Sequence, residues 1–521
     1  MLANPDESGQ DKPDFAADIA FVAKGGGTLF AGRLFTWGIR FGLAVMLARL
    51  LGADGYGAYS LALSLATIGG IVPLLGLDTA IVRYTAIFAR RGDWAAVRAN
   101  LRLMLSLSAA LSLLVTAGLI FFAEPVAGAF LHDRRLAPLV LISALMVPTL
   151  VLNIQLGSAL RGVRRIAHEV FADQVFQPLV RLALLLMLVV VGLTVSQALL
   201  AWTVASLATT VVLAYLVIRA LPRHGHEDGK PLGKSELFRF SGPVFLSNVV
   251  SKSGDQLQTL LLGALSTVAT VGVFAVATNV NLIGSLFHSS LVSASMPLFA
   301  EAQDLKNRLA LEKLYQLTSR WSLTLNLPIF LVVVAYAQVM LGLFGPEFRS
   351  GAVPLGILAA ANLVNAGTGM SGAVLDMTGH TGLKLLNAAV AVALGITLNV
   401  ILVPSLGLMG AAIAALAVTA GINILPLAEV LLLERASPYN RLFAKPIVAG
   451  GLAFLASIGV KFLLGGTGEV VQAAVGIPVL FITYGVVLFG FGIDDDDRLV
   501  LRRVRDRFAR RRRTPVRVQP S

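Results

Sequence analysis

The chain has 521 residues, of which 56% are hydrophobic and only 14% are charged, with a mean hydropathy of +0.80 and a formal net charge of +13. Soluble globular proteins carry about 25% charged residues, so the composition excludes a soluble multidomain protein and indicates an integral membrane protein. Cysteine is absent, which excludes disulfides, thiolate metal sites and cysteine nucleophiles.

The N-terminal segment 1–25 begins acidic and polar, without the basic start and apolar core of a cleavable signal peptide. Fourteen apolar segments follow, each close to the ~20 residues that cross a ~30 Å hydrocarbon core. Helices are expected, because lipid cannot satisfy an open sheet edge. The predicted spans are 26–48, 57–77, 101–123, 137–159, 175–193, 197–218, 240–264, 268–298, 321–344, 352–375, 383–403, 408–433, 444–464 and 470–491.

The basic residues alternate between the connections that join these spans. The odd-numbered connections hold only four of the 42 lysines and arginines, namely Arg49, Arg134, Arg135 and Arg349. Because basic residues concentrate on the cytoplasmic side of a membrane, both termini are predicted to be cytoplasmic. The basic tail 492–521 is then expected to contact anionic lipid rather than nucleic acid.

Two pairs of stretches repeat along the chain. Residues 50–68 resemble 261–283, and residues 192–217 resemble 407–432. Repeated halves are typical of transporters, whose binding site lies at the interface of the repeats. The predicted organisation is all-α, with two pseudo-symmetric six-helix lobes around a central cavity. Its parts are an N-lobe (26–219), a cytoplasmic linker (220–239), a C-lobe (240–433), an extra helix pair (434–491) and the tail (492–521).

Two arginines interrupt the first apolar span. Arg33 and Arg40 are seven residues apart, so they share one helical face at a separation of about 10 Å. An arginine at the bilayer centre costs at least ~2.5–3.5 kcal/mol. Arg33 lies near the start of the span, where it can also extend to the interface, whereas Arg40 lies near the middle and is predicted to face the cavity.

Polar side chains also follow one face of later spans. In span 7, Asn248, Lys252, Asp255 and Thr259 form a stripe that cannot face lipid. The alternatives are a structural Lys252–Asp255 pair, or substrate contact by Lys252 with a coupling proton or Na⁺ on Asp255. Span 8 repeats the pattern with Asn281, Ser285 and His288, the histidine also being explicable as a satisfied buried residue. Span 5 offers Gln174, Gln177 and Arg181, which can also extend to the cytoplasmic interface.

Three stretches carry a family resemblance. The sequence ARLLGADGYGAYSLALSLATIGGIVPLLGLDTAIVRYTA (48–86) resembles the opening spans of the Wzx-type polysaccharide flippases of the multidrug/oligosaccharidyl-lipid/polysaccharide superfamily. Residues 160–199 resemble their junction of spans 4 and 5, and residues 379–415 the counterpart in the second half. The resemblance covers residues 25–435 as a diffuse pattern of small and apolar residues.

The resemblance implies a function and a location. Such proteins flip a polyprenyl-diphosphate-linked oligosaccharide from the cytoplasmic to the external leaflet of the plasma membrane by alternating access. Related lipid II flippases have fourteen spans, whereas Wzx-type proteins and drug exporters often have twelve, so lipid II stays open as substrate. In the fourteen-span relatives the last two helices help to form a groove for the lipid tail. Polysaccharide assembly proteins stay open as partners.

The sign of the intramembrane charges bears on the ligand. Arg33, Arg40, Arg181 and Lys252 outnumber Asp255, and a diphosphate matches the planar, permanently charged fork of arginine. A drug or cation antiporter would need acidic groups or aromatic cages. A membrane enzyme is a further alternative, but the short external connections hold no paired carboxylates for acid–base catalysis.

Candidate cofactor motifs fail on spacing. The GKS at 233–235 lacks the glycine five positions earlier that a phosphate-binding loop requires, and the DDDD at 494–497 lacks calcium-loop spacing. The GTGMSG at 367–372 lies inside span 10, where small residues allow close helix packing or a break in the helix. We therefore expect a transporter without cofactor or metal, with coupling to H⁺ or Na⁺ left open, and no enzymatic activity.

Overall fold

The computed structural model describes residues 15–222, 232–305 and 307–492, and every regular element in these ranges is a helix. Side chains of residues 15–36 and of a few later positions, Lys252 and Asp255 among them, lie outside the described part. Twelve helices there are long and apolar enough to cross a membrane. The protein is therefore a multi-pass, all-α membrane protein, as the sequence predicts.

The helices follow one another with short connections. The first half contains α1 (Phe15–Leu74), α2 (Leu77–Arg90), α3 (Trp94–Phe121), α4 (Ala123–Pro125), α5 (Ala137–Gly162), α6 (Ile166–Val170), α7 (Gln177–Val189) and α8 (Val195–Ala220). The second half contains α9 (Lys234–Leu265), α10 (Val268–Asp304), α11 (Arg308–Gly342), α12 (Ala352–Gly367), α13 (Ser371–Met377), α14 (Thr381–Leu406), α15 (Leu408–Leu433), α16 (Ala444–Leu463) and α17 (Glu469–Gly490).

The first two predicted spans fall on α1, which is broken at Gly52. The part from Trp37 to Leu74 has 38 residues, about 57 Å of helix at 1.5 Å per residue, almost twice the ~30 Å of a hydrocarbon core. Gly52 has φ of 67° and leaves the helical conformation, which glycine does without the steric cost that a Cβ imposes. The two predicted spans are therefore the two parts of α1, which follow each other without a loop.

The predicted count of fourteen spans is not confirmed, because predicted spans 1 and 2 share the helix α1. Predicted span 7 is a second difference. It lies on α9, in which the side chains of Lys252 and Asp255 are outside the described part and Gln256–Leu265 is a shorter apolar stretch. The polar stripe from Asn248 to Thr259 lowers the hydropathy of this helix. Predicted span 10 is divided between α12 and α13, which are separated at residues 368–370, where Gly369 has φ of 76°. The remaining predicted spans coincide with long apolar helices, and the predicted lobe boundaries remain a prediction.

The two halves of the chain meet where α1 crosses α10. A Cβ at Gly57 would clash with the carbonyl oxygen of Val268, and a Cβ at Gly272 would clash with that of Ala53. The two glycines lie in the stretches that the sequence repeat relates, 50–68 and 261–283. Backbone therefore packs directly on backbone, a close approach that only small residues permit.

Beside the α1–α10 crossing, polar contacts join α1 to the connection between α11 and α12. Arg49 Nε donates a hydrogen bond of 2.7 Å to the carbonyl oxygen of Leu343, and the Ala53 amide donates one of 2.8 Å to Glu347 Oε2. Ala53 opens the part of α1 that follows the break, so the carboxylate receives an N–H that has no partner within its own helix. We call this end of the bundle the closed end. It consists of residues 49–57 of α1 and their partners Val268, Gly272, Leu343 and Glu347.

The helix pair α16–α17 packs on α11. Tyr336 Oη lies 2.8 Å from Ser457 Oγ, which donates to the Gly476 carbonyl oxygen at 3.0 Å. Tyr336 has φ of −128° and interrupts α11, and Lys461 Nζ donates to the neighbouring Ala335 carbonyl oxygen at 3.1 Å. A basic side chain thus binds a carbonyl next to the helix irregularity and joins the pair to the second half.

We expect Gly272→Ala to weaken the closed end, because its methyl group would meet the Ala53 carbonyl oxygen. Overpacking of this kind costs about 1–3 kcal/mol, measurable as a lower thermal unfolding midpoint in detergent. The matched control is Gly42→Ala in α1, where a Cβ meets nothing within 4 Å and alanine favours the helix. Equal midpoints for the two variants would contradict the tight crossing.

Candidate functional site

A cavity of about 1110 Å³ lies between the two halves of the chain. It begins beside the closed end, at Tyr56 on α1 and Phe274 on α10, and it reaches Asp173 and Lys384. Asp173 lies just before α7 and Lys384 in the first turn of α14, so the cavity extends along the bundle away from the closed end. Its size exceeds the usual ~300–1,000 Å³ of a pocket for a drug-sized ligand.

Six of the predicted site residues line this cavity, and they come from both halves. They are Arg40, Gln177, Arg181, Thr259, Asn281 and Ser285. Gln174, Asn248 and His288 are not among its lining residues. The side chains of Arg33, Lys252 and Asp255 fall outside the described part of the chain, so their predicted roles stay predictions.

Arg181 points across the cavity wall towards α1. Its Nη2 donates a hydrogen bond of 2.5 Å to Tyr59 Oη, and its Cζ lies 5.5 Å from the centre of that ring. The Arg181 Nε is buried without a hydrogen-bond partner. A buried unsatisfied donor costs about 1–3 kcal/mol, so the chain retains here an arginine whose hydrogen-bonding capacity is unmet.

Arg40 is the second arginine of the cavity, on the part of α1 before the Gly52 break. It forms no hydrogen bond or ion pair with the residues that the structure describes, and its side chain is exposed. Neighbouring Trp37 and Phe41 stack with ring centres 4.7 Å apart. Arg40 thus lies at the cavity wall, where it was predicted.

A pair of buried tyrosines was missed in the sequence. Tyr56 and Tyr59 are 4% and 3% exposed, line the cavity and have ring centres 6.1 Å apart. The Tyr56 hydroxyl accepts a hydrogen bond of 3.2 Å from Asn279 Nδ2 on α10. The signal was two tyrosines three residues apart in an otherwise small and apolar stretch, a spacing that places both on one helical face.

The predicted polar residues of span 8 differ in location: Asn281 lines the cavity, whereas His288 does not. Asn281 Nδ2 donates to the Leu358 carbonyl oxygen at 3.1 Å, while Asn362 Nδ2 donates to Asn281 Oδ1 at 2.9 Å. His288 Nδ1 lies 2.9 Å from Ser322 Oγ on α11. The histidine is therefore satisfied inside the second half, as the structural alternative for this residue expected, whereas the asparagines form an amide pair at the cavity wall.

Asn248 contacts the first half of the chain rather than the cavity. Its Nδ2 lies 3.4 Å from Asp78 Oδ1, a carboxylate that is 8% exposed in the first turn of α2. Helix N-termini favour negative side chains. Asp78 is a second residue that the sequence analysis overlooked, although an acid inside the apolar stretch GLDTAIV was the available signal.

The charges of the cavity are mostly positive. Among the described lining residues, Arg40, Arg181 and Lys384 carry positive charge and Asp173 carries negative charge. Lys384 Nζ forms an ion pair with Asp376, and Asn387 Nδ2 donates to Glu429 Oε2 at 2.7 Å. Asp376 and Glu429 therefore pair with Lys384 and Asn387 at the far end of the cavity, and the two arginines leave its described lining with a net positive charge.

Comparison with known proteins places these features in a family. The model for the family described as "Polysaccharide biosynthesis protein" matches residues 22–303. Stage V sporulation protein B of Bacillus subtilis is 24% identical over 512 residues, with 91% of this chain and 96% of that protein covered. The probable low-salt glycan biosynthesis flippase Agl15 of Haloferax volcanii is 26% identical over 179 residues, with 34% of this chain and 38% of that protein covered.

Solved structures agree on the fold. The lipid II flippase MurJ in an inward closed conformation has a TM-score of 0.70 at 15% identity, with 89% of this chain and 98% of that chain covered. An inward-facing multidrug resistance MATE transporter of the MOP superfamily has a TM-score of 0.60 at 17% identity, over 75% of this chain and 94% of that chain. With a family match over more than half of its residues, the chain belongs to the polysaccharide biosynthesis protein family, in agreement with the predicted resemblance to polysaccharide flippases.

Proposed function

We propose that the protein is a flippase that moves a polyprenyl-diphosphate-linked oligosaccharide from the cytoplasmic to the external leaflet for cell-surface polysaccharide assembly. The observation that carries the proposal is the pair of arginines, Arg40 and Arg181, in a large cavity between the two halves. Arginine is matched in geometry and charge to a diphosphate. The polyprenyl tail stays in the bilayer while the polar head crosses through the cavity.

The sign of the cavity charge argues against export of cationic drugs. A cationic ligand would be repelled by Arg40 and Arg181, whereas Lys384 is paired with Asp376, and Asp173 at the far end is the one described carboxylate of the lining. Amide and hydroxyl groups of Asn281, Asn362 and Ser285 are suited to sugar hydroxyls, which need both donors and acceptors. An anionic head group with an uncharged polar extension fits this lining better than a drug cation does.

The orientation follows from the basic residues of the sequence. The closed end contains Arg49 and Glu347, which belong to connections predicted to be external, while Asp173 and Lys384 belong to the side predicted to be cytoplasmic. The cavity therefore extends towards the cytoplasmic leaflet, from which a newly made lipid-linked glycan would enter. Alternating access would require the closed end to part.

Two further parts have proposed roles. The α16–α17 pair would guide the lipid tail, since it packs outside the cavity on α11. Transport would be driven by a proton, Na⁺ or voltage gradient, with Asp255 as the candidate for ion coupling, or would run downhill without coupling. Lipid II remains the alternative substrate, because its diphosphate would meet the same arginines.

We expect Arg181→Gln and Arg40→Ala to slow translocation of a short-chain polyprenyl-diphosphate sugar in proteoliposomes. Loss of one charge-assisted hydrogen bond is worth about 1.5–3 kcal/mol, which corresponds to about a 10- to 100-fold effect on affinity. The control is Arg219→Ala, an exposed arginine that stacks on Tyr215 away from the cavity. Unchanged transport in both cavity variants would contradict their role in diphosphate binding.

The same assay separates the alternatives. Wild-type protein that moves lipid II but not other diphosphate-linked glycans would make it a lipid II flippase. Movement of cationic dyes, with no diphosphate lipid moved under proton, Na⁺ and voltage gradients, would refute the proposed function.

Single cysteines test the orientation, since the natural chain has none. We expect Ser350→Cys, beside the closed end, to react with an impermeant maleimide added outside intact cells. Arg91→Cys, in the connection between α2 and α3, should react only after the cells are opened. Both residues are exposed, so the opposite pattern would contradict the proposed direction of the cavity.

A further inference from the structure

The hydrogen bond between Arg181 and Tyr59 competes with ligand binding. Arg181 Nη2 donates to the Tyr59 hydroxyl at 2.5 Å, and Tyr59 is 3% exposed. A phenol is a neutral acceptor, whereas a phosphate oxygen is anionic and forms a hydrogen bond roughly twice as strong. A phosphate in the cavity would therefore take the guanidinium from the tyrosine.

Tyr59 lies against Tyr56, the residue that touches the other half of the chain. The two ring centres are 6.1 Å apart on one face of α1. Tyr56 accepts a hydrogen bond from Asn279 at 3.2 Å, and its ring meets the edge of Phe348 with centres 6.4 Å apart. Asn279 and Phe348 both belong to the second half, so Tyr56 bridges the halves in two directions.

Tyr56 is also part of the closed end. It directly precedes Gly57, whose backbone meets α10, and it follows Ala53, whose amide binds Glu347, by three residues. Side chains three residues apart are neighbours on a helix. A shift of the Tyr56 ring therefore disturbs the surface on which α1 and α10 meet.

We propose that Tyr59 and Tyr56 link Arg181 to the closed end, so that a phosphate which takes the Arg181 guanidinium from Tyr59 loosens the contact between the halves. The inference rests on the proposed function, because it requires a diphosphate in the cavity. Tyr59 is then a positioning residue. It holds Arg181 in the protein without ligand, and when this hydrogen bond breaks, Tyr59 shifts against Tyr56. Coupling of this kind is reciprocal, so whatever weakens the closed end must also tighten phosphate binding.

The test measures distances across the closed end of the full chain in nanodiscs. Spin labels are placed at Asp54→Cys and Ser350→Cys, two exposed positions on opposite sides of the closed end in a chain without natural cysteines. Inorganic pyrophosphate is the probe. In otherwise wild-type protein we expect pyrophosphate to raise the population with the longer distance.

Tyr59→Phe removes the acceptor of Arg181 and keeps the ring. We expect this variant to show the longer distance without pyrophosphate and to bind pyrophosphate about fivefold more tightly, the value of one hydrogen bond that no longer has to be broken. Tighter pyrophosphate binding would distinguish the proposed link from damage to the site, because damage would weaken the binding.

Two matched variants complete the experiment. Tyr56→Phe removes the Asn279 contact while Arg181 stays bound to Tyr59, so it should lengthen the distance with a smaller gain in pyrophosphate affinity. Tyr484→Phe loses a buried hydrogen bond of 2.9 Å to the Thr324 carbonyl oxygen outside the cavity, and it should match wild type in both measurements.

The failing outcomes are distinct. If wild type binds pyrophosphate and Tyr59→Phe keeps the wild-type distances or binds pyrophosphate more weakly, the link is refuted and the proposed function stands. If wild type binds no pyrophosphate and moves no diphosphate lipid, the proposed function is refuted and the link with it.

Discussion

A guanidinium cannot be left in hydrocarbon, and the centre of this protein is arranged around that constraint. Arg40 and Arg181 lie in apolar helices, yet both line a cavity large enough to hold water and a polar ligand. The cost of an intramembrane arginine is met by hydration and by a neighbouring tyrosine. Two arginines in apolar helices therefore require a polar cavity between the two halves of the chain.

The same cavity needs a seal at one end, and the seal is made of backbone. Gly57 and Gly272, from related stretches of the repeat, let α1 and α10 touch without side chains between them. Around this crossing, buried side chains of both helices, such as Leu61 on α1 and Val271 on α10, belong to one apolar core. Hydrogen bonds from Arg49 and Ala53 lie beside it.

Much of this could be predicted from the sequence. Apolar length gave the membrane spans, and the cost of buried charge singled out Arg40 and Arg181, which both line the cavity. Helical periodicity, however, indicates only that two residues share a face, not what that face meets. The partners of Asn248 and His288 were therefore not predicted: Asn248 contacts Asp78 in the first half of the chain, and His288 contacts Ser322 on the next helix. Tyr56 and Tyr59 gave a weak signal because tyrosine is unremarkable in a membrane helix.

Polar side chains that hold helices together differ from Arg181 in their hydrogen bonds. Asn153 exchanges hydrogen bonds with Ser206 and Thr210, and Tyr336 pairs with Ser457; these groups hold helices together. Arg181 instead leaves its Nε unpartnered beside the cavity. Because evolved proteins satisfy nearly all buried polar groups, an unmet arginine donor beside a polar cavity supports the proposal that Arg181 binds an anionic ligand. Under that proposal, the hydrogen bond to Tyr59 holds the guanidinium until a phosphate oxygen, a stronger acceptor, replaces the phenol.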